Sequence, residues 1–122
     1  MPNAVLLYIG AILSFLWGVA HLFPTANIVK GFGEISKDNK NIIAMEWINE
    51  GVTLIFIGFI VAGVTYIGAD NNISSFVYLS SAAVLIVLAV VSLFTGFKVN
   101  FLPFKLCPPI FTLSAVLLIL GS

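Results

Sequence analysis

Charge is what this chain has least of. Only 8% of its 122 residues are charged, against about a quarter in a soluble domain, and the mean hydropathy is +1.17. A water-soluble fold is excluded. Arginine is absent altogether, and the five basic residues, all lysines, are cancelled by five acids. Without the bidentate phosphate fork or a basic stripe, the chain has no surface for nucleic acid. Cysteine occurs once, at Cys107, so no internal disulfide can form. With no CxxC and no nearby His, that thiol reads as structural. No positively charged segment precedes the first apolar run and no small-residue cleavage site follows it. The run is therefore expected to be retained rather than removed as a signal peptide.

What remains is apolar and periodic, and it divides into four stretches. The first, Ala4 to Phe23, is long enough at about 1.5 Å per residue to cross a hydrocarbon core of about 30 Å, and Pro24 closes it. From Thr25 to Lys40 the chain turns polar, with Gly31 and Gly33 as loop residues and Asp38 or Asn39 as the expected N-cap of the next helix. That helix runs from about Asn41 to Ile67, longer than a span needs, so it tilts or places its first turns in the interface. The turn Gly68-Ala69-Asp70-Asn71-Asn72 leads to a third helix capped by Ser74 or Ser75. The fourth must begin near Phe104, because a start at Pro108 would leave it too short for the core. Pro108 then falls in its first turn. The expectation is an all-α membrane protein: one four-transmembrane-helix bundle over residues 1–122, with helices at about 4–23, 41–67, 74–96 and 104–121.

Lys30, Lys37, Lys40, Lys98 and Lys105 all fall in or beside the first and third connections. By the positive-inside rule those connections are cytoplasmic and both termini face outward. So one-sided a distribution speaks against dual insertion.

Within the apolar background, the second helix carries Glu46 and Glu50 at i, i+4, with Asn49 and Thr53 continuing the stripe. Charged groups unpaired in hydrocarbon are costly, so the stripe is expected to turn into the bundle interior. The first helix offers Gly10, Ser14, Gly18 and His21 at helical spacing, a face that permits close approach. In an antiparallel pair His21 and Glu46 fall at similar depth, which places His21, Glu46 and Glu50 around one cavity. Two carboxylates and a histidine there suit acid–base chemistry or proton handling, and these three are the candidate catalytic residues. The competing reading is a polar network that only locks helix one to helix two. One His and two carboxylates are also ligand types for a divalent ion, but with no second His or ExxH pair no metal is assigned. Trp17 and Trp47, with Asn49 and Thr53, are candidate ligand-binding residues, although tryptophans near an interface commonly serve as anchors. Ser92, Thr95, Thr112 and Ser114 are expected to bond their own helix backbones.

The segments Leu16-Trp17-Gly18-Val19-Ala20-His21-Leu22-Phe23-Pro24 and Met45-Glu46-Trp47-Ile48-Asn49-Glu50-Gly51 resemble a group of small bacterial four-helix membrane proteins, broadly DoxX-like. The likeness implies a bacterial inner-membrane location. More distantly, intramembrane His and Glu around a four-helix cavity are similar to the EXPERA group of sterol isomerases and receptors. That analogy implies an acid–base site on a hydrophobic ligand, at His21, Glu46 and Glu50. Size and helix count are also similar to small multidrug transporters, which carry their essential glutamate in the first helix, where this chain has no carboxylate. The leading expectation is thus a membrane protein whose His/Glu cavity binds a lipid-, quinone- or sterol-like molecule, with acid–base chemistry at the site. A proton-coupled transporter and a structural or assembly subunit are the alternatives, and self-association is compatible with each. The cofactor, if any, is unknown from sequence.

Overall fold

The computed structural model describes residues 1–122, and its helices follow the apolar runs. They are α1 (Ala4–Leu22), α2 (Thr25–Lys30), α3 (Lys37–Gly68), α4 (Asn72–Phe94) and α5 (Leu102–Gly121), with a single 3₁₀ turn at Gly96–Lys98. Four of these, all but α2, are long and apolar enough to cross a membrane. There is no strand. Only 25 of 122 residues are buried, and the outer faces expose Phe, Leu, Ile and Val along their whole length. Such a surface would aggregate in water and is what a helix presents to lipid. The chain is a multi-pass membrane protein built as an all-α four-helix bundle.

Around the bundle α1 packs against α3 and α5, and α4 closes the ring between α5 and α3. The α1–α3 interface is the most extensive and α3–α4 the least, although a short turn joins the latter pair. Small residues explain the difference. A Cβ at Gly58 would meet the Ala11 carbonyl at 2.5 Å, and one at Gly18 would meet that of Gly51 at 2.7 Å, so glycine is what lets these backbones touch. Ser14 Oγ then donates to Leu54 O at 3.0 Å across the same interface. On the other side of α1, Ser114 Oγ donates to Gly10 O at 2.8 Å, joining α5. The small-residue face of α1 therefore serves two neighbours, and Ser114 spends its hydroxyl between helices rather than on its own.

Helix ends depart from expectation where side-chain capping decides. Ser36, whose side chain accepts from Asn39 N–H, caps α3, so the helix starts at Lys37 and not near Asn41. Asn71 rather than Ser74 or Ser75 caps α4. The polar stretch after Pro24 is not all loop, since Thr25–Lys30 forms α2, packed on α3. Finally, α5 starts at Leu102 with Pro103 in its first turn, which leaves Pro108 and Pro109 inside the helix. Pro108 has no N–H to give the Phe104 carbonyl, and Pro109 none to give that of Lys105.

All five lysines lie at one end of the bundle, with the α1–α3 and α4–α5 connections, while both termini and the α3–α4 turn lie at the other. At the terminal end Asn3 N–H donates to Gly121 O at 2.8 Å, tying the two ends of the chain together. At the lysine end α3 overshoots. Its 32 residues extend about 48 Å, more than a hydrocarbon core of about 30 Å requires.

Candidate functional site

His21 occupies the last turn of α1, and the α1–α3 glycine contacts bring it against the α3 segment Trp47–Glu50. Its Nε2 lies 3.1 Å from Glu50 Oε2. The distance is that of an ion pair, yet the N–H direction misses the oxygen, and Nε2 is sealed from solvent without a hydrogen bond of good alignment. The imidazole is stacked on Trp47, with ring centroids 3.9 Å apart and planes 15° from parallel. The same Trp47 donates its indole N–H to the His21 carbonyl. That carbonyl belongs to the last turn of α1, where the helix itself offers no donor. Trp47 thus caps α1 and holds the imidazole in place. Phe104 meets Trp47 edge-on at 5.3 Å, extending the aromatic wall to α5.

Three spaces meet at this wall. The first is a chamber of about 260 Å³ at the start of α5, lined by aromatic and aliphatic side chains from Trp17, Ala20, Ile28, Trp47, Phe104 and Leu106, with His21 as its one imidazole. The second is a small pocket of about 150 Å³, where His21 and Glu50 are joined by Ser92, Thr95 and Gly96. Its lining is mixed, with Trp47, Val91 and Phe104 beside the polar groups, and it is large enough for several waters at about 30 Å³ each. The third is a groove of about 570 Å³ between α3 and α4, along which Glu46, Asn49, Glu50 and Thr53 are aligned. His21 borders the first two spaces and Glu50 the last two.

The polar stripe of α3 was expected to face the bundle interior. Instead Glu46, Asn49 and Thr53 are exposed and only Glu50 is partly covered. The reason is direction: the stripe lies along the groove between α3 and α4, the least extensive interface of the ring, so these side chains are left uncovered there. The single cavity expected around His21, Glu46 and Glu50 is accordingly divided: Glu50 touches His21, while Glu46 lines the outer groove. Thr53 donates to the Asn49 carbonyl of its own helix, as Ser92 and Thr95 do to theirs. Trp17 and Trp47 both line the chamber, and Trp17 Nε1 is buried without a partner. No three His, Cys, Asp or Glu side chains converge as a metal centre would need. The contribution of Phe104, Ile28 and Leu106 had no signal in the sequence, where they are ordinary apolar residues.

Neither a family model, nor a curated protein, nor a solved structure matches this chain.

Proposed function

We propose that the chain binds a small apolar molecule in the chamber at the start of α5, and that His21 and Glu50 exchange a proton at its inner wall. The observation that carries the reading is the position of the His21–Glu50 pair. Of the four residues that line both the apolar chamber and the small pocket, His21, Trp47, Phe104 and Cys107, His21 is the imidazole, and it stands beside a carboxylate. Such a pair can take up a proton from the wet side and present it on the dry side. Glu46, one turn earlier and exposed, is the outer proton donor and acceptor of the groove. The lysine-bearing end faces the cytoplasm and both termini face outward, in a bacterial inner membrane.

Occupancy can be read from the protein itself, because both of its tryptophans, Trp17 and Trp47, line the chamber. Menadione, a two-ring quencher of indole fluorescence, should quench the detergent-solubilised protein with a saturable component above the linear background of micelle partitioning. Ala20→Phe and Leu106→Trp, which fill the chamber from opposite walls, should abolish that component, the latter read as loss of saturation despite its added indole. Linear quenching alone in the wild type, or saturation unchanged in both variants, would remove the binding proposal.

A further inference from the structure

The groove between α3 and α4 carries charge that the protein itself does not balance. We infer that it is a second binding site, for a lipophilic organic cation: an ammonium or phosphonium on an aromatic or aliphatic body, held between the carboxylates of α3 and the apolar face of α4.

Charge sets the first requirement. Glu46 and Glu50 line the groove one turn apart, and none of the five lysines is among its lining residues. The one ion-pair contact of the chain is that of Glu50 with His21, so Glu46 has no cationic partner. No side-chain hydrogen bond ends on either carboxylate. Thr53 and Ser92, which share the groove, give their hydroxyl hydrogens to backbone carbonyls of their own helices, so their oxygens are left with acceptor capacity alone. The groove is rich in acceptors and negative charge and poor in donors. No charged residue follows Glu50 along α3, so its carboxylate stands at the edge of a wholly uncharged helix, where an unpaired charge is costly.

A second observation lies at the inner side. Trp47, Glu50, Val91, Ser92 and Phe104 line both the groove and the small pocket, so the two adjoin, and His21 lines the latter. His21 is 6% exposed and its Nε2 has no bonded partner, although Glu50 Oε2 is 3.1 Å away. The nearest protein cation therefore approaches Glu50 without satisfying it.

The walls set the remaining requirement. Leu88 and Val91 of α4 supply aliphatic surface, while Phe32, Trp47 and Phe104 add aromatic rings, which attract organic cations through their faces. An inorganic ion would leave this surface unfilled. A neutral molecule would leave the carboxylates unmatched, and an anion would be repelled by them. At about 570 Å³ the groove is of the size that holds small molecules, about 300–1,000 Å³.

The test is equilibrium dialysis of radiolabelled tetraphenylphosphonium against the detergent-solubilised protein, with neutral triphenylphosphine oxide as competitor. The wild type should show a saturable component that the neutral compound does not displace. Glu50 is 33% exposed, and Glu50→Gln should weaken binding about tenfold, as loss of a partly desolvated charge pair requires. Glu46 is exposed and screened by water, and Glu46→Gln should weaken it about threefold. The double variant should lose saturation. Asp70→Asn, the same loss of charge at the other end of the bundle, should bind as the wild type does. Linear uptake alone in the wild type, saturation retained in the double variant, or an equal loss in Asp70→Asn would overturn the site. Displacement by the phosphine oxide at matching concentrations would show that shape and not charge is read. In nanodiscs, binding seen in phosphatidylcholine but lost in phosphatidylethanolamine would assign the groove to a lipid amine and overturn the free cation.

Discussion

Gly58→Ala and Gly63→Ala add the same methyl group to the same helix, and the structure predicts opposite outcomes. At Gly58 the new Cβ would lie 2.5 Å from the Ala11 carbonyl oxygen, 2.7 Å from Phe15 Cβ and 2.9 Å from Phe15 N. Two of those three atoms are backbone, so no rotamer change relieves the clash. To restore an ordinary contact of 3.4 Å, α1 and α3 must part by roughly 0.9 Å at this point. A gap of that size forfeits a quarter to a half of the local dispersion energy, and overpacking of this kind costs about 1–3 kcal/mol. Alanine's helix propensity returns about 1 kcal/mol, which leaves a net loss of about 0–2 kcal/mol. At Gly63 the added Cβ meets nothing within 4 Å, so only the propensity gain remains. The two variants should therefore differ by about 1–3 kcal/mol, or roughly 5- to 150-fold in the unfolding equilibrium. Reversible unfolding in mixed micelles, followed by far-UV circular dichroism, measures this. Equal stability of Gly58→Ala and Gly63→Ala would show that the α1–α3 backbones are not in contact, and the placement of His21 against Glu50 would fall with that contact.

Glu50→Gln keeps the size and hydrogen-bonding capacity of the side chain but removes its charge, so the bundle should stay folded while proton uptake declines. Glu46→Gln, in the open groove away from His21, should change uptake less, and His21→Ala should match Glu50→Gln; wild-type uptake in all three would leave the polar cluster as structural glue. Single cysteines at Lys37 or Lys98 should be protected from an impermeant maleimide in intact cells, whereas one at Asp70 should react, in a Cys107→Ser background. Equal labelling of both groups from outside would mean dual insertion and would favour transport.

How much was legible before folding depended on the range of the interaction responsible. Four spans, their order and the one-sided lysines are set by length, hydropathy and composition, which lipid reads along a single helix. The pairing of His21 with the second helix was legible too, because Gly18 and Ser14 mark the face of α1 that closes on it. Cap chemistry is local, yet several donors competed for each helix start, and Ser36 and Asn71 won over Asp38, Ser74 and Ser75. Only the tertiary structure decided which carboxylate meets the histidine. The Gly18–Gly51 approach sets the register of α1 on α3, so Glu50 reaches His21 while Glu46, Asn49 and Thr53 line the α3–α4 groove. It alone built the chamber as well, since Trp17, Trp47 and Phe104 lie on three different helices. A period along one helix shows which side is polar; the depth and neighbours of that side depend on how far each helix extends and on where a missing Cβ lets two backbones touch.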